Sequence, residues 1–299
     1  MSDYRETLRG IFAMLVSCLF FVLHDTMVKV ATRDMPIGQV LVLRALVTTA
    51  VVTYMVWRVG ELGRVHKHLS RYVASRSIAE GIAGVIFLVS LTHLPIANAS
   101  AVSQGAPLAV TAASAIFLHE KVGWHRWMSI AVGFVGIMVI VRPGTAGFNM
   151  WALGPLSTVF IVAFREMNTR FIAKTTSSLI VLFYTTVAVT IACAILSAFE
   201  VWQPISLLGG ALILGAGLAG LVGTQYSIVA VQHGDVSTVA LFRYSFIPYA
   251  VCLGWLVWGE IPDMMTLVGI VIVIGSGMYT FHRERVRHQR IASVMDPSV

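Results

Sequence analysis

Charge is scarce in this sequence. Only 12% of its 299 residues are Asp, Glu, Lys or Arg, against 57% hydrophobic residues and a mean hydropathy of +0.83. That is too little polar surface to cover a water-soluble globule of this length. Strict alternation of apolar and polar residues is also missing, which excludes a transmembrane barrel. No connection is long enough to hold a soluble domain: the longest, from Arg58 to Tyr72, is basic and histidine-containing, and the next, Pro143 to Met150, is a Gly-Thr-Ala-Gly link. Three cysteines, Cys18, Cys193 and Cys252, all fall inside apolar runs and show neither a disulfide framework nor metal-ligand spacing, so they read as small hydrophobes. No cofactor or metal is expected.

Two further absences bear on chemistry. There is no Gly-x-x-x-x-Gly-Lys-Ser/Thr phosphate loop, so any pumping must draw on an ion gradient or on the gradient of the solute. There is no Gly-x-Ser-x-Gly either, and His119-Glu120 with His125 has its histidines six apart in a loop, where they cannot share a helix face on one zinc ion. An intramembrane enzyme is therefore disfavoured. Asn98-Ala-Ser100 matches a glycosylation acceptor but adjoins an apolar run and reads as chance.

What is present is a series of apolar runs of about 20 residues, the length a helix needs to cross a hydrocarbon core. They predict ten spans: 10–31, 38–57, 73–93, 97–118, 125–142, 151–172, 178–198, 207–232, 236–258 and 263–282. Arg5 and Arg9 precede the first, which is too long for a secretory signal and lacks a small-residue cleavage site, so it reads as an uncleaved helix. The net charge of +7 could suggest nucleic acid, but the basic residues sit in short loops beside apolar runs and instead report orientation, with no nucleic acid implied. With the N-terminus inside, inner segments hold Arg58, Arg64, Lys67, Arg71, Lys121, Arg126, Arg170, Lys174, Arg283, Arg285, Arg287 and Arg290, and the outer loops hold Arg33 and Arg142. Both termini are thus predicted on the cytoplasmic side of the inner membrane. The tryptophans agree as interfacial anchors, with Trp57, Trp124 and Trp127 at inner ends and Trp151, Trp202, Trp255 and Trp258 at outer ends.

Shifted by 140 positions, the chain aligns with itself without a gap: Ser17 on Ser157, Phe20 on Phe160, Val22 on Val162, Met27 on Met167, Val47 on Val187, His93 on His233 and Glu120 on Glu260. Each copy holds five spans. An odd number of crossings makes the second copy enter from the opposite side, so the repeats are predicted to be inverted. The expected organisation is a first repeat over 1–142, a linker over 143–150, and an inverted repeat over 151–299 ending in a basic tail. The fold class is all-α integral membrane protein, with two five-helix repeats around a central cavity.

Ten short spans in two repeats, His119-Glu120 closing the fourth, Gly259-Glu260 closing the ninth and a glycine-dotted span after each resemble the EamA branch of the drug/metabolite transporter superfamily. The resemblance covers nearly the whole chain. It implies a basket of spans 1–4 and 6–9 with spans 5 and 10 peripheral, and secondary carriage of small organic solutes, often export of amino acids. Relatives carrying sugar phosphates or nucleotide sugars supply the alternative cargo.

Ionisable residues inside spans are costly and need a partner or water. Asp25 and Lys29 share one face of span 1 at a spacing of four, and Arg44 lies at matching depth in span 2, giving an expected outer gate. The repeat maps Asp25 to Arg165, Thr26 to Glu166, Arg44 to Tyr184 and Ser103 to Arg243, placing Arg165, Glu166 and Arg243 in an inner gate. The alternative reading makes Asp25–Lys29 and Arg76–Glu80 same-helix pairs that only ease insertion. Asp25, Glu80 and Glu166, with His24, are the candidate proton carriers. Along span 4, Ser100, Ser103, Gln104, Pro107, Thr111 and Ser114 recur at helical spacing and predict a polar cavity wall, with interhelix bonding as the alternative. Pro107 and Pro248 predict bends near mid-span. His24, Phe87, Tyr184 and Tyr244 complete the expected cavity lining. Intramembrane bases outnumber acids, which favours a carboxylate-bearing or zwitterionic solute. The expected partners are that solute and the bilayer, with a proton as a further partner if the carrier is coupled and none if it is a facilitator; the oligomeric state, monomer or a dimer through spans 5 and 10, stays open.

Overall fold

The computed structural model describes residues 2–119, 123–145, 147–173, 176–232, 239 and 241–295. Glu120, Lys121, Lys174, His233, the opening of the ninth predicted span and the side chains of Arg5 and the basic tail lie outside that description. Among the described residues the chain is helical, without strands: α1 (Ser2–Ala31), α2 (Ile37–Arg58), α3 (Arg71–Leu91), α4 (Ile96–Ser103), α5 (Ala106–Phe117), α6 (Trp124–Val141), α7 (Leu153–Arg170), α8 (Ser178–Ser197), α9 (Leu207–Gln232), α10 (Phe246–Trp258) and α11 (Met264–Met295). Single-stretch 3-10 turns cover Leu62–His68, Met150–Ala152 and Phe242–Ser245.

Seven of these stretches are long and apolar enough to cross a membrane: Glu6–Ala31, Ile37–Arg58, Arg71–Leu91, Ile96–Phe117, Trp124–Val141, Ser178–Ser197 and Leu207–Ala230. The chain is a multi-pass membrane protein. The other three predicted spans fall short of that measure for visible reasons. α7 is diluted by Arg165, Glu166 and Arg170, α10 adjoins residues outside the description, and the apolar part of α11 ends at Thr280.

Helix ends follow local chemistry. Pro36 and Pro95 precede α2 and α4, where a missing N–H costs nothing. The carboxylate of Glu200 accepts from the Gly38 and Gln39 amides at the α2 N-terminus, where the helix dipole favours an anion. The fourth predicted span is not one rod: it breaks at Gln104–Gly105 and restarts at Ala106, so Pro107 sits in the first turn of α5. Pro248 likewise sits in the first turn of α10, after the 3-10 segment. A departure from regular α-helix lies just before each of these prolines.

The packing pattern repeats. α1 lies against α9 as α7 lies against α3; α2 meets α9 as α8 meets α3; α1 meets α10 as α7 meets α4 and α5; α2 pairs with α8 and α6 with α11. Glycines set two of these contacts. A Cβ at Gly136 would lie 3.1 Å from the Gly269 carbonyl oxygen, one at Gly269 would lie 2.8 Å from that of Gly136, and Gly133 and Gly277 are as tightly covered. Gly133, Gly136 and Gly269 lie in the α6–α11 seam, Gly277 is covered by Tyr244 from the segment before α10, and Gly275 faces open space. On α9, Gly220 and Gly223 let the helix approach His24 and Phe21 of α1.

Candidate functional site

A cavity of about 910 Å³ lies between α1, α2, α3, α7, α8 and α9 and runs to the α7–α8 connection at Ile172, Ala173 and Thr176. Among the described residues none of its lining comes from α6 or α11. It carries charged groups at two levels. At one, Arg44 Nη1 donates to His24 Nε2 at 2.9 Å, and His24 Nδ1 meets Asp25 Oδ1 at 2.8 Å. All three side chains are withdrawn from the outer surface, and His24 and Asp25 are among the buried residues. At the other level, Arg165 forms ion pairs with both Glu80 and Glu166. Arg76 donates to the hydroxyls of Thr169 at 3.0 Å and Thr185 at 2.8 Å, so its charge faces neutral partners. Arg243 lines the same space with no hydrogen-bonding or ion-pair partner for its guanidinium among the described residues. The lining holds Arg44, Arg76, Arg165 and Arg243 against Asp25, Glu80 and Glu166, an excess of one base with His24 neutral.

Lys29 is elsewhere. It is one turn beyond Asp25, but its Nζ meets Glu260 Oε1 at 3.0 Å, donates to the Leu94 carbonyl at 2.6 Å, and sits 4.7 Å from the Trp258 ring centre. Glu260 Oε2 in turn accepts from the Ile96 amide at 3.2 Å. The pair ties the end of α1 to the α3–α4 turn and to the residues that follow α10. Lys29 and Glu260 line a second hollow of about 400 Å³, with Arg33, His93, Pro95 and Trp258. The grouping of Asp25, Lys29 and Arg44 is thus corrected. Asp25 and Arg44 meet through His24, and Lys29 is drawn instead to Glu260, which follows α10.

The span 4 stripe is also corrected. Ser100, Ser103, Gln104, Pro107 and Thr111 do not line the cavity. Ser103 and Thr111 bond to carbonyls of their own helix, at Ala99 and Pro107, while Gln104 Nε2 donates to the Arg243 carbonyl at 3.4 Å. Of the stripe, Gln104 alone bonds to another segment among the described residues, and the Ser100 and Ser114 hydroxyls are buried without a partner. Tyr184 donates to the Val65 carbonyl and anchors the loop after α2, Tyr244 is buried against Gly277, and Pro248 is exposed; none of the three lines the cavity. Phe87 does, as do His24, Asp25, Glu80, Glu166 and Arg165. Arg76 and Glu80 are not a closed pair, since each bonds to another helix. Sequence reasoning missed Glu260 as the partner of Lys29, although it stood out in the repeat as the match of Glu120. It also missed the threonines that hold Arg76, which carry no signal of their own.

Outside the apolar spans, Arg142 at the end of α6 and Asp263 just before α11 form a further ion pair, and hydrogen bonds from Arg142 and Thr266 hold the Asp263 carboxyl well below the usual carboxylate range.

The overall arrangement is shared with a solved structure titled "Crystal structure of protein", which superposes with a TM-score of 0.61 at 17% identity over 93% of this chain and 98% of that one. Residues 8–142 match the EamA-like transporter family. The chain is 28% identical to the pseudopaline exporter of Pseudomonas aeruginosa, over 89% of this chain and 93% of that protein. It is 29% identical to the S-adenosylmethionine uptake transporter of Rickettsia felis, over 65% of this chain and 66% of that protein. It is 28% identical to the riboflavin transporter of Vibrio cholerae, over 66% of each.

Proposed function

We propose that this chain, which belongs to the EamA-like transporter family of the drug/metabolite superfamily, is a secondary carrier of small carboxylate-bearing metabolites, amino acids foremost, across a bacterial inner membrane. Carriage of small molecules is common to the named relatives. The reading adds alternating access between two inverted five-helix repeats, 1–142 and 151–299, with both termini cytoplasmic. Three features support it: the gapless self-match, the exchange-symmetric packing, and an odd number of predicted crossings per repeat.

The observation that carries most weight is the pair of hollows. The larger opens toward the α7–α8 connection, on the predicted cytoplasmic side, and the smaller lies at the opposite end of α1. Between them stands one turn of α1, fastened by Lys29–Glu260. A carrier closed at its outer neck and open inward has this form. The base excess, with Arg243 free and Arg76 on hydroxyls alone, suits a carboxylate. Arg165 is engaged by two acids, which leaves no ready Arg165–Arg243 pair for a phosphate and weakens the sugar-phosphate alternative. The export direction implied by the family resemblance is matched by one relative and opposed by another.

Reconstituted vesicles test the reading by counterflow. Preloaded phenylalanine, leucine, glutamate, succinate and glucose 6-phosphate would each be scored for exchange against labelled solute outside. Exchange of amino acids or carboxylates is expected; exchange of the phosphate alone would overturn the cargo.

A further inference from the structure

We propose that His24, Asp25 and Arg44 form a proton-gated carboxylate site, in which a proton on His24 and a solute carboxylate on Arg44 are taken up together. The inference rests on the carrier reading and deepens it.

A guanidinium has only donors to offer. Arg44 Nη1 can therefore bond to His24 Nε2 at 2.9 Å only while that nitrogen bears no proton. The ring proton must then sit on Nδ1, where it donates to Asp25 Oδ1 at 2.8 Å. The partners fix the tautomer. A second proton can go only to Nε2. It would abolish the acceptor and set an imidazolium against a guanidinium, while Asp25 would hold the imidazolium in place. Arg44 must then turn away, and the space open to it is the cavity it lines. Its guanidinium is ready for a new partner, since Nε is already buried without one. Conversely, a solute carboxylate that draws Arg44 off His24 leaves Nε2 vacant for a proton. The two bindings favour each other by the same factor.

The surroundings do not short-circuit this exchange. Asp25 faces His24 from α1 and Arg44 faces it from α2; the Cys193 thiol of α8 lies against Arg44. α9 presents Gly220, with an ideal Cβ only 3.3 Å from the ring, so no side chain competes there. Glu80 and Glu166 from α3 and α7 are engaged by Arg165 at the other level, and Arg243 faces the cavity from the segment before α10. The repeat-related positions are Phe164, Arg165 and Tyr184, so the second repeat holds permanent ion pairs where the first holds a titratable switch. Joint uptake gives the site a direction: an inward proton gradient drives a carboxylate inward.

The test mixes purified full-length protein, in nearly unbuffered detergent solution, with phenylalanine, glutamate and succinate, and follows a pH indicator. Wild type is expected to take up about one proton per bound solute. His24→Gln, whose amide can accept from Arg44 and donate to Asp25 without titrating, is expected to take up none, and its exchange rate in vesicles to be flat between about pH 6 and about pH 8. Asp25→Asn, which keeps the acceptor but loses the charge, is expected to need more acid for the same uptake. Equal proton uptake in His24→Gln, or exchange by wild type without proton uptake, overturns the site. Absence of exchange of all three solutes counts against carboxylate carriage instead. In that case 15N spectra of the imidazole still decide the triad, upholding it if the neutral ring carries its proton on Nδ1 and overturning it if on Nε2.

Discussion

Asp25 and Lys29 lie one turn apart on the same face of α1, yet they open onto different hollows: Asp25 onto the large cavity with His24 and Arg44, Lys29 onto the smaller hollow with Glu260. Four residues are about 6 Å of helix. The barrier between the two spaces is therefore thin, and the polar groups on either side of it answer to different partners.

If Lys29–Glu260 fastens that barrier, the two residues act as a unit. Lys29→Met strands a partly buried carboxylate and Glu260→Gln strands a buried ammonium, whereas the double variant leaves neither. Melting temperatures in detergent are expected to fall more in each single variant than additivity with the double allows, with a coupling of about 1–3 kcal/mol. Additive losses would remove the pair from this role.

Arg165 is paired with two acids at once. Arg165→Met is expected to destabilise the protein by about 2 kcal/mol, less than a fully buried pair because the Glu80 and Glu166 side chains are partly exposed. Adding Glu80→Gln and Glu166→Gln should restore most of the loss in melting temperature. An unchanged melting temperature in Arg165→Met would show that the cluster carries no structural load.

The α6–α11 seam lies apart from the cavity. Gly136→Leu must push against Ile272 and the Gly269 backbone, and is expected to cost about 1–3 kcal/mol of stability while solute exchange persists in the folded fraction. Loss of exchange by protein that remains folded would place this seam in the transport cycle.

Asp263 is held ionised by Arg142, so its pKa is depressed by folding. Its stabilising effect is complete above the ordinary carboxylate pKa and fades as pH falls below it. Asp263→Asn should therefore melt slightly below wild type at about pH 7 and converge with it only under strong acid. A gap that widens on acidification would contradict the assignment.

The helices were legible because apolar length and basic loops are local properties of the sequence. Their intervals agree with the predicted spans to within a few residues at most described ends, and the packing respects the 140-residue shift. The partners of individual charges were not legible. Spacing on one helix made Asp25 and Lys29 look like a unit, but which acid reaches Lys29 depends on how α10 ends beside α4, a relation between segments far apart in the chain. The polar stripe of span 4 shows the same limit. Its periodicity was real, but the stripe does not line the cavity, and the helix that carries it is interrupted at Gln104–Gly105.

Gly84 offers the most direct test of access from one side at a time, because it lines the large cavity and a Cβ there meets nothing within 4 Å. In a protein freed of Cys18, Cys193 and Cys252, Gly84→Cys would be exposed to a membrane-impermeant thiol reagent from each side in turn. The account predicts labelling from the cytoplasmic side in the otherwise unaltered protein, and new labelling from the opposite side once Lys29→Met and Glu260→Gln are added. Labelling from neither side, or from both sides equally before the pair is broken, would contradict it.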